Sequence, residues 1–414
     1  MVLSYIWLAF FLIAFIIAFF KWIVTGDALI FKTIVDGIFK SAGDSVDLSF
    51  KLIGIMTLFL GFMNIGERAG AIRFLSRIVG PFFGKLFPEV PRNHPAMGHM
   101  MMNFSANLLG LDNAATPFGL KAMESLQQLN PEKEKASNAQ LMFLVLHASG
   151  LTLIPVSIIA MRAAVKPPAA NPTDIFIPCM IATFAATVAA LIIISFRQKI
   201  NLLQPVIIGW VLGISALIAS LIWYMKVFLD QPGIERFSAI LSNAIIILIF
   251  FAFLVGGLIK KVNVFEAFID GAKGGFEIAI KIIPYLVAML VAISVLRSSG
   301  AFDFIIDGLT SFFTMLGVDT EFVKALPTAL MKPLSGSGSR GMMISTMETY
   351  GADSFPGRLS AVFQGSSDTT FYVIAVYFGS VSIKNTRYAL PSMLLADLVG
   401  IITAIFVAYL FFGT

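Results

Sequence analysis

The feature that most constrains this chain is a set of apolar stretches long enough to cross a lipid bilayer. The clearest lie at about 3–20, 47–63, 175–196, 203–225, 238–259, 279–296 and 390–411. About 20 consecutive apolar residues span the hydrocarbon core. Only 13% of the residues are charged, against about 25% in a soluble domain. Forty phenylalanines exceed what one water-soluble core would hold. The expected fold is all-α: a polytopic integral membrane protein. The first stretch lacks a basic flank and a small-residue cleavage site, so it reads as a retained helix, not a cleaved signal. The net charge of +5 is spread over short loops, which speaks of membrane orientation and not of nucleic acid. Cys179 is the single cysteine, and with the three histidines it forms no ligand spacing, so neither an internal disulfide nor a metal or cofactor is expected.

The chain also repeats itself. Residues 70–86, GAIRFLSRIVGPFFGKL, match 300–316, GAFDFIIDGLTSFFTML, at Gly, Ala, three Phe and Leu. Lys51 and Lys281 keep the same offset, and Asp36-Gly37 and Asp270-Gly271 precede them. Further on, Pro95 and Ser105 match Pro327 and Ser337, Ser149 and Thr152 match Ser367 and Thr370, and Pro178 and Met180 match Pro391 and Met393. The offset shortens after the first half's charged 128–139 loop, and order is kept throughout. Each half reads as a membrane helix, an amphipathic helix, a second membrane helix, a short helix, two polar interrupted segments and a closing helix. The expected division is 1–200, a linker at 201–237 carrying one unpaired helix, and 238–414.

Charge bears on how the halves face. Putting Arg197 and Lys199, Lys260 and Lys261, and Lys384 and Arg387 all in the cytoplasm is self-consistent and gives inverted halves. Arg162 and Lys166 then fall outside, against the rule.

Chemistry is expected where polar residues interrupt the apolar runs, because irregular backbone survives in a bilayer only under cover of protein or a wet cavity. The first half offers Asn103, Ser105, Asn107, Asn113 and Thr116; the second offers Ser335, Ser337 and Ser339. The plainer reading of SGSGSRG is close helix packing. A second pair of segments holds Ser149 and Thr152, and Gln364, Ser366, Ser367, Asp368, Thr369 and Thr370. These are the candidate substrate-binding residues. Asp368 is the sharpest: a proton or cation carrier or a substrate hydrogen-bond acceptor, against the plainer readings of a structural partner for Arg340 or a helix cap. Asp397, within the last apolar run, is a second candidate for ion or proton coupling. His147 more simply reads as hydrogen-bonded structure.

At these residues a family resemblance emerges. ANLLGLDNAATPFGLKAM, starting at Ala106, resembles the hallmark of the spore maturation protein A family. ALMKPLSGSGSRG, QGSSDTTFYVIAVYFGS and KNTRYALPSMLLADLVG, starting at Ala329, Gln364 and Lys384, resemble spore maturation protein B. The resemblance covers nearly the whole chain, as a fusion of the two, and implies that each half is a nucleoside-recognition, or Gate, domain. Related Gate domains occur in concentrative nucleoside transporters and in the membrane core of ferrous-iron transporters. His147 departs from the pattern, which has Asn or a similar small polar residue there.

The resemblance implies transport of a small polar solute, such as a nucleoside or organic acid, across a bacterial inner membrane by alternating access, with proton or cation coupling as an option. The alternatives are a non-transporting scaffold or solute sensor and, less well supported, an intramembrane hydrolase using Ser337 or Ser339. No enzyme activity is expected. The expected partners are the solute and membrane lipid, with further copies of the chain as an open alternative and nucleic acid excluded.

Overall fold

The computed structural model describes residues 2–110, 112–150, 152 and 154–413, excepting the side chains of 2–4, 112–114 and 282. Among the described residues the secondary structure is helical, without a strand. The first half comprises α1 (Val2–Thr25), α2 (Leu29–Ala69), α3 (Ala71–Leu86), α4 (Pro95–Leu108), α5 (Asp112–Leu129), α6 (Asn138–Ala148), α7 (Val156–Ala164) and α8 (Phe176–Gln198). Then comes α9 (Pro205–Phe228). The second half comprises α10 (Gln231–Ile259), α11 (Val264–Ser298), α12 (Ala301–Met315), α13 (Leu326–Met331), α14 (Gly336–Tyr350), α15 (Phe355–Gly365), α16 (Thr370–Ser380) and α17 (Ala389–Phe412). By order and length α10 to α17 follow α1 to α8, and α9 stands alone. Seven helices, α1, α2, α8, α9, α10, α11 and α17, are long and apolar enough to cross a membrane, so this is a polytopic membrane protein.

One sequence expectation needs correction. The amphipathic segment and the membrane helix that follows it are not separate. They form one 41-residue helix in α2 and one 35-residue helix in α11. No proline interrupts α2, and helical Gly37 and Gly43 cost only about 1 kcal/mol each. At 1.5 Å per residue α2 is about 60 Å long, twice the hydrocarbon thickness. Its first half carries Lys32, Asp36, Lys40, Asp44, Asp47 and Lys51 at three- and four-residue spacing, with Lys32 and Asp36 paired at 2.5 Å.

α2 and α11 pack antiparallel along most of their length. Gly37 lies against Ser294 and Ser298, Gly275 against the backbone of Met56 and Thr57, and Gly271 against Leu60. Asn64 Nδ2 donates to the Ala267 carbonyl at 2.6 Å. A Cβ at Gly271 would sit 2.3 Å from the Leu60 oxygen, so glycine is what permits this approach. α8 and α17 are antiparallel too. Arg197, at the end of α8, lies 5.7 Å from the ring of Tyr388, which precedes α17, and Ala186 meets Gly400 midway. The first helix of each half packs on the other half. Trp7 of α1 donates to the Ala288 carbonyl of α11 at 3.0 Å, and Phe250 of α10 stacks on Phe62 of α2 at 4.3 Å.

Charged connections tie the halves together at both ends. At one, the fully buried Arg162 bonds Asp174 at 2.8 Å, Asp353 at 3.4 Å and the Ala352 carbonyl at 2.7 Å. Arg358 bonds Asp174 at 2.8 Å and Glu235 at 3.2 Å, and its guanidinium lies 4.9 Å from the Phe412 ring. At the opposite end the 128–139 connection is less exposed than its composition suggests. Its charged side chains reach water, but buried Asn130 bonds Gln140 at 3.2 Å. The Glu134 carbonyl accepts from the Lys384 N–H at 2.9 Å, and the Lys384 ammonium pairs with the Glu134 carboxylate at 2.7 Å, both side chains being exposed.

Candidate functional site

Each half contains two helix interruptions, and all four gather at the middle of the molecule. In the first half α4 gives way to α5 around Gly110 (φ +71°), and α6 gives way to α7 around Gly150 (φ +66°). A Cβ at Gly110 would meet the Ile154 carbonyl at 2.5 Å, so these two breaks abut. In the second half Pro333 and Ser335 separate α13 from α14, and residues 366–369 separate α15 from α16. They abut as well: the Phe371 N–H donates to the Pro333 carbonyl at 3.1 Å. The halves then meet where the Asp368 N–H donates to the Ala148 carbonyl at 2.8 Å and the backbone of Ser367 and Asp368 covers Gly150.

The depth of this junction follows from its neighbours. Ser149 Oγ bonds Thr187 Oγ1 at 3.0 Å, and Thr187 is the central residue of α8. The Ser366 carbonyl lies against Gly400, near the middle of α17. The breaks are therefore level with the midpoints of two bilayer-length helices.

Around the junction the polar side chains form two groups. In the first, Asn103 and Asn107 of α4 converge on the Nδ1 of His147, with Asn103 Oδ1 at 3.0 Å and Asn107 Nδ2 at 2.8 Å. Asn103 Nδ2 donates to the Ala115 carbonyl at 2.7 Å. The other ring nitrogen of His147 faces Asp368 Oδ2 at 3.8 Å. Tyr377 lies edge-on to His147, centroids 4.8 Å apart, with hydrogen bonds to Thr116 and Asn103. Gly119 makes room for it, since a Cβ there would be 2.4 Å from the tyrosine ring. His147 is 5% exposed and the Asp368 side chain 47%. One partner is dry and the other is open.

The second group surrounds Asp397, which is buried. Thr370 Oγ1 donates to its Oδ2 at 2.6 Å, Ser367 adds a bond, and buried Lys332 is a cation in its vicinity.

The other candidates are placed as follows. Thr369 N–H donates to Asp368 Oδ1 at 2.7 Å, and Thr369 Oγ1 lies against Gly336. Ser335 caps α14 through the Gly338 N–H at 3.0 Å and meets the Ser337 hydroxyl at 3.2 Å, while Ser339 donates to the Gly336 carbonyl. Ser366 donates to the Phe363 carbonyl and Thr152 to the Gly150 carbonyl. Gln364 is buried and its Oε1 has no partner among the described residues. Ser105 is not drawn into either group: it bonds Ser76 of α3 at 3.1 Å. Asn113 is a side chain outside the described residues. The basic side chain recorded facing Asp368 is His147, at 3.8 Å, rather than Arg340, the partner that one sequence reading offered. No hydrogen bond links the serines of α14 to the His147 group among the described residues. A groove of about 630 Å³ lies elsewhere, between α2 and α11, lined by Ile53, Thr57, Phe276 and Glu277 among others.

His147 is hydrogen-bonded, as its plainer sequence reading has it, whereas Tyr377 was missed. The signal for Tyr377 was present, because Thr370, Val373 and Tyr377 recur at helical spacing on the buried face of α16.

Comparison with known proteins agrees with the architecture. The profile of the Gate family, described as nucleoside recognition, matches residues 1–165 and 279–384. Spore maturation protein B of Bacillus subtilis (strain 168) is 51% identical over 174 residues, covering 42% of this chain and 96% of that protein. Spore maturation protein A of the same organism is 42% identical over 158 residues, covering 38% of this chain and 80% of that protein. No solved structure matches. The chain belongs to the Gate, or nucleoside recognition, family of membrane proteins.

Proposed function

We propose that this protein carries a small polar solute across the bacterial inner membrane by alternating access between two inverted halves. The observation that supports this best is the meeting of four helix breaks at mid-membrane, two from each half. Irregular backbone at that depth is costly unless it lines a site, and a paired set of breaks between repeats is the pattern of secondary transporters. Inversion is supported by the antiparallel packing of α2 on α11 and of α8 on α17, helices that correspond by order. Halves related about the membrane normal would set such pairs parallel.

Charge orients the molecule. Arg197 and Arg387 flank the same Tyr388 ring. Lys260 and Lys261 end a helix, α10, whose start is held at the opposite end by Arg358 and Glu235. All three basic sites thus share an end, read as cytoplasmic. The two exceptions are neutralised: Arg162 by Asp174, and Lys166 by Asp47 at 2.7 Å. The corresponding helices α3 and α12 add to this, since α3 carries exposed Arg73 and Arg77 and α12 exposed Asp303 and Asp307. Membrane insertion favours the basic helix on the cytoplasmic face.

The family description makes a nucleoside the first solute class to test, with organic acids second. Gln364 Oε1 and the half-exposed Asp368 are acceptors that a donor-rich solute would satisfy. The serines of α14 are engaged with one another and with backbone, which favours a carrier over a hydrolase. The test is counterflow in proteoliposomes with labelled uridine, adenosine and succinate. Exchange of one of them above that of empty liposomes is expected; binding without exchange would favour a solute sensor instead.

A further inference from the structure

We infer that the midplane junction binds a solute carrying both an ammonium and a carboxylate, an amino acid or short peptide, with Arg340 holding the carboxylate and Asp368 the ammonium. The observation behind this is a pair of opposite charges, deep in the membrane, that the protein leaves unmatched. Arg340 lies near the start of α14 and is partly exposed. Its side chain has no hydrogen bond, ion pair or ring contact among the described residues. α14 begins at the junction. At 1.5 Å of rise per residue, Arg340 is about 6 Å from that level, well inside a hydrocarbon core of about 30 Å. An arginine at that depth is expected to be paired or to face a wet cavity. Asp368 is the matching case. Its side chain is 47% exposed, and among the described residues neither lysine nor arginine forms an ion pair with it. His147 does not serve. Its Nδ1 accepts from Asn107 Nδ2 at 2.8 Å, as a neutral ring does, and its Nε2 is 3.8 Å from Asp368, beyond hydrogen-bond length.

The two charges border one opening. Gly336 and Ser337 precede Arg340 at helical spacing and share its face of α14. Helical side chains lean toward the N-terminus of their helix, which turns the guanidinium back toward the junction. A Cβ at Gly336 would lie 2.9 Å from Thr369 Oγ1, and the Thr369 N–H donates to Asp368 Oδ1 at 2.7 Å. Gly336 thus seats the break that carries Asp368 against the turn that leads to Arg340. The breaks do not need these charges. By the repeat offsets Arg340 corresponds to Leu108 and Asp368 to Gly150, and the first half builds its breaks with those residues. A solute with one charge would neutralise one wall and leave the other bare. A zwitterion satisfies both and adds no net charge to what must cross. Its carboxylate belongs on the Arg340 side, where the partly exposed Ser337 hydroxyl and the positive end of α14 add to the attraction. Uridine can hydrogen-bond these groups but cannot neutralise them. This deepens the transport reading of the same junction and rests on it for the crossing; the binding itself does not.

The test is competition binding to the full-length protein in lipid nanodiscs. Labelled L-alanine and L-alanyl-L-alanine are the probes; N-acetyl-L-alanine, which keeps only the carboxylate, and L-alaninamide, which keeps only the ammonium, are the competitors. At least one zwitterion is expected to bind about tenfold or more tightly than either competitor, because each of these leaves a charge unpaired. Asp368→Asn should erase the preference over N-acetyl-L-alanine, and Arg340→Gln the preference over L-alaninamide, selective losses that a merely structural role would not produce. If a variant does not fold, the competitor series on the unaltered protein still decides the matter. No saturable binding of either probe would overturn the proposal, as would single-charge competitors that bind as tightly as the zwitterions. Counterflow of the same probes and of uridine in proteoliposomes separates the two readings. Zwitterion binding without exchange of any solute supports the site and counts against transport. Uridine exchange without zwitterion binding supports transport and overturns the site.

Discussion

At the level of single residues, glycines set how closely the polar group at the centre is held. Gly119 leaves no space for a methyl group beneath Tyr377, and Gly150 combines a left-handed backbone with contact to the Asp368 amide. Gly119→Ala should displace Tyr377 and lower the unfolding temperature of the detergent-solubilised protein, whereas Gly43→Ala, in α2 with open space around it, should be neutral or slightly stabilising. Gly150→Val should be worse than either, since a left-handed β-branched residue costs about 1–2 kcal/mol before any clash. Comparing the three melting curves checks the order. Much of this site was legible in the sequence as a set of polar residues in apolar runs. Asp368, Thr370 and the two asparagines stood out because such residues are rare at that depth. Their pairing did not. Which base faces Asp368 depends on how two helix ends cross, so His147, 221 positions away, was hidden while Arg340, near in sequence to the serine turn, looked the natural partner.

Among the elements, the two end connections differ in kind. Arg162 and Asp174 form a buried pair, with Asp353 and Arg358 joined to it, whereas Glu134 and Lys384 meet in the open. Removing one member of a buried pair strands the other and costs about 3–5 kcal/mol. An exposed pair is worth about 1 kcal/mol or less. Arg162→Met should therefore sharply shorten the half-life of folded protein at elevated temperature, while Lys384→Ala should leave it nearly unchanged; timed aggregation after heating measures both. On this contrast the exposed end should part more readily than the buried one. The sequence showed where these connections lie, since 128–139 is rich in charge and 163–174 in proline. It did not show that α2 and α11 are continuous. Their charged and apolar parts look like different helices because they face different surroundings, and no breaker separates them in α2. Pro284 lies inside α11 without ending it.

For the molecule as a whole, the proposed inversion of the halves makes a topological prediction: a cysteine replacing Lys199 should be reached by an impermeant thiol reagent only from the cytoplasm, and one replacing Lys166 only from outside. Ordered matches along the chain are what argue for a repeat, and they need no structure. Inversion became arguable only once corresponding helices were seen to run antiparallel and Arg162 and Lys166 were found paired. The central proposal is that solute crosses by alternating access, which requires the exposed end to part in its turn. Glu134 and Lys384 are joined by a backbone hydrogen bond of 2.9 Å, close enough for a disulfide between cysteines placed at both positions. The buried Cys179 stays in place. The measurement is uridine counterflow through the Glu134→Cys, Lys384→Cys protein, oxidised and then reduced. The predicted result is exchange that falls to the empty-liposome level when the bond closes and returns when it is reduced. Exchange at the same rate through the closed bond would contradict the account.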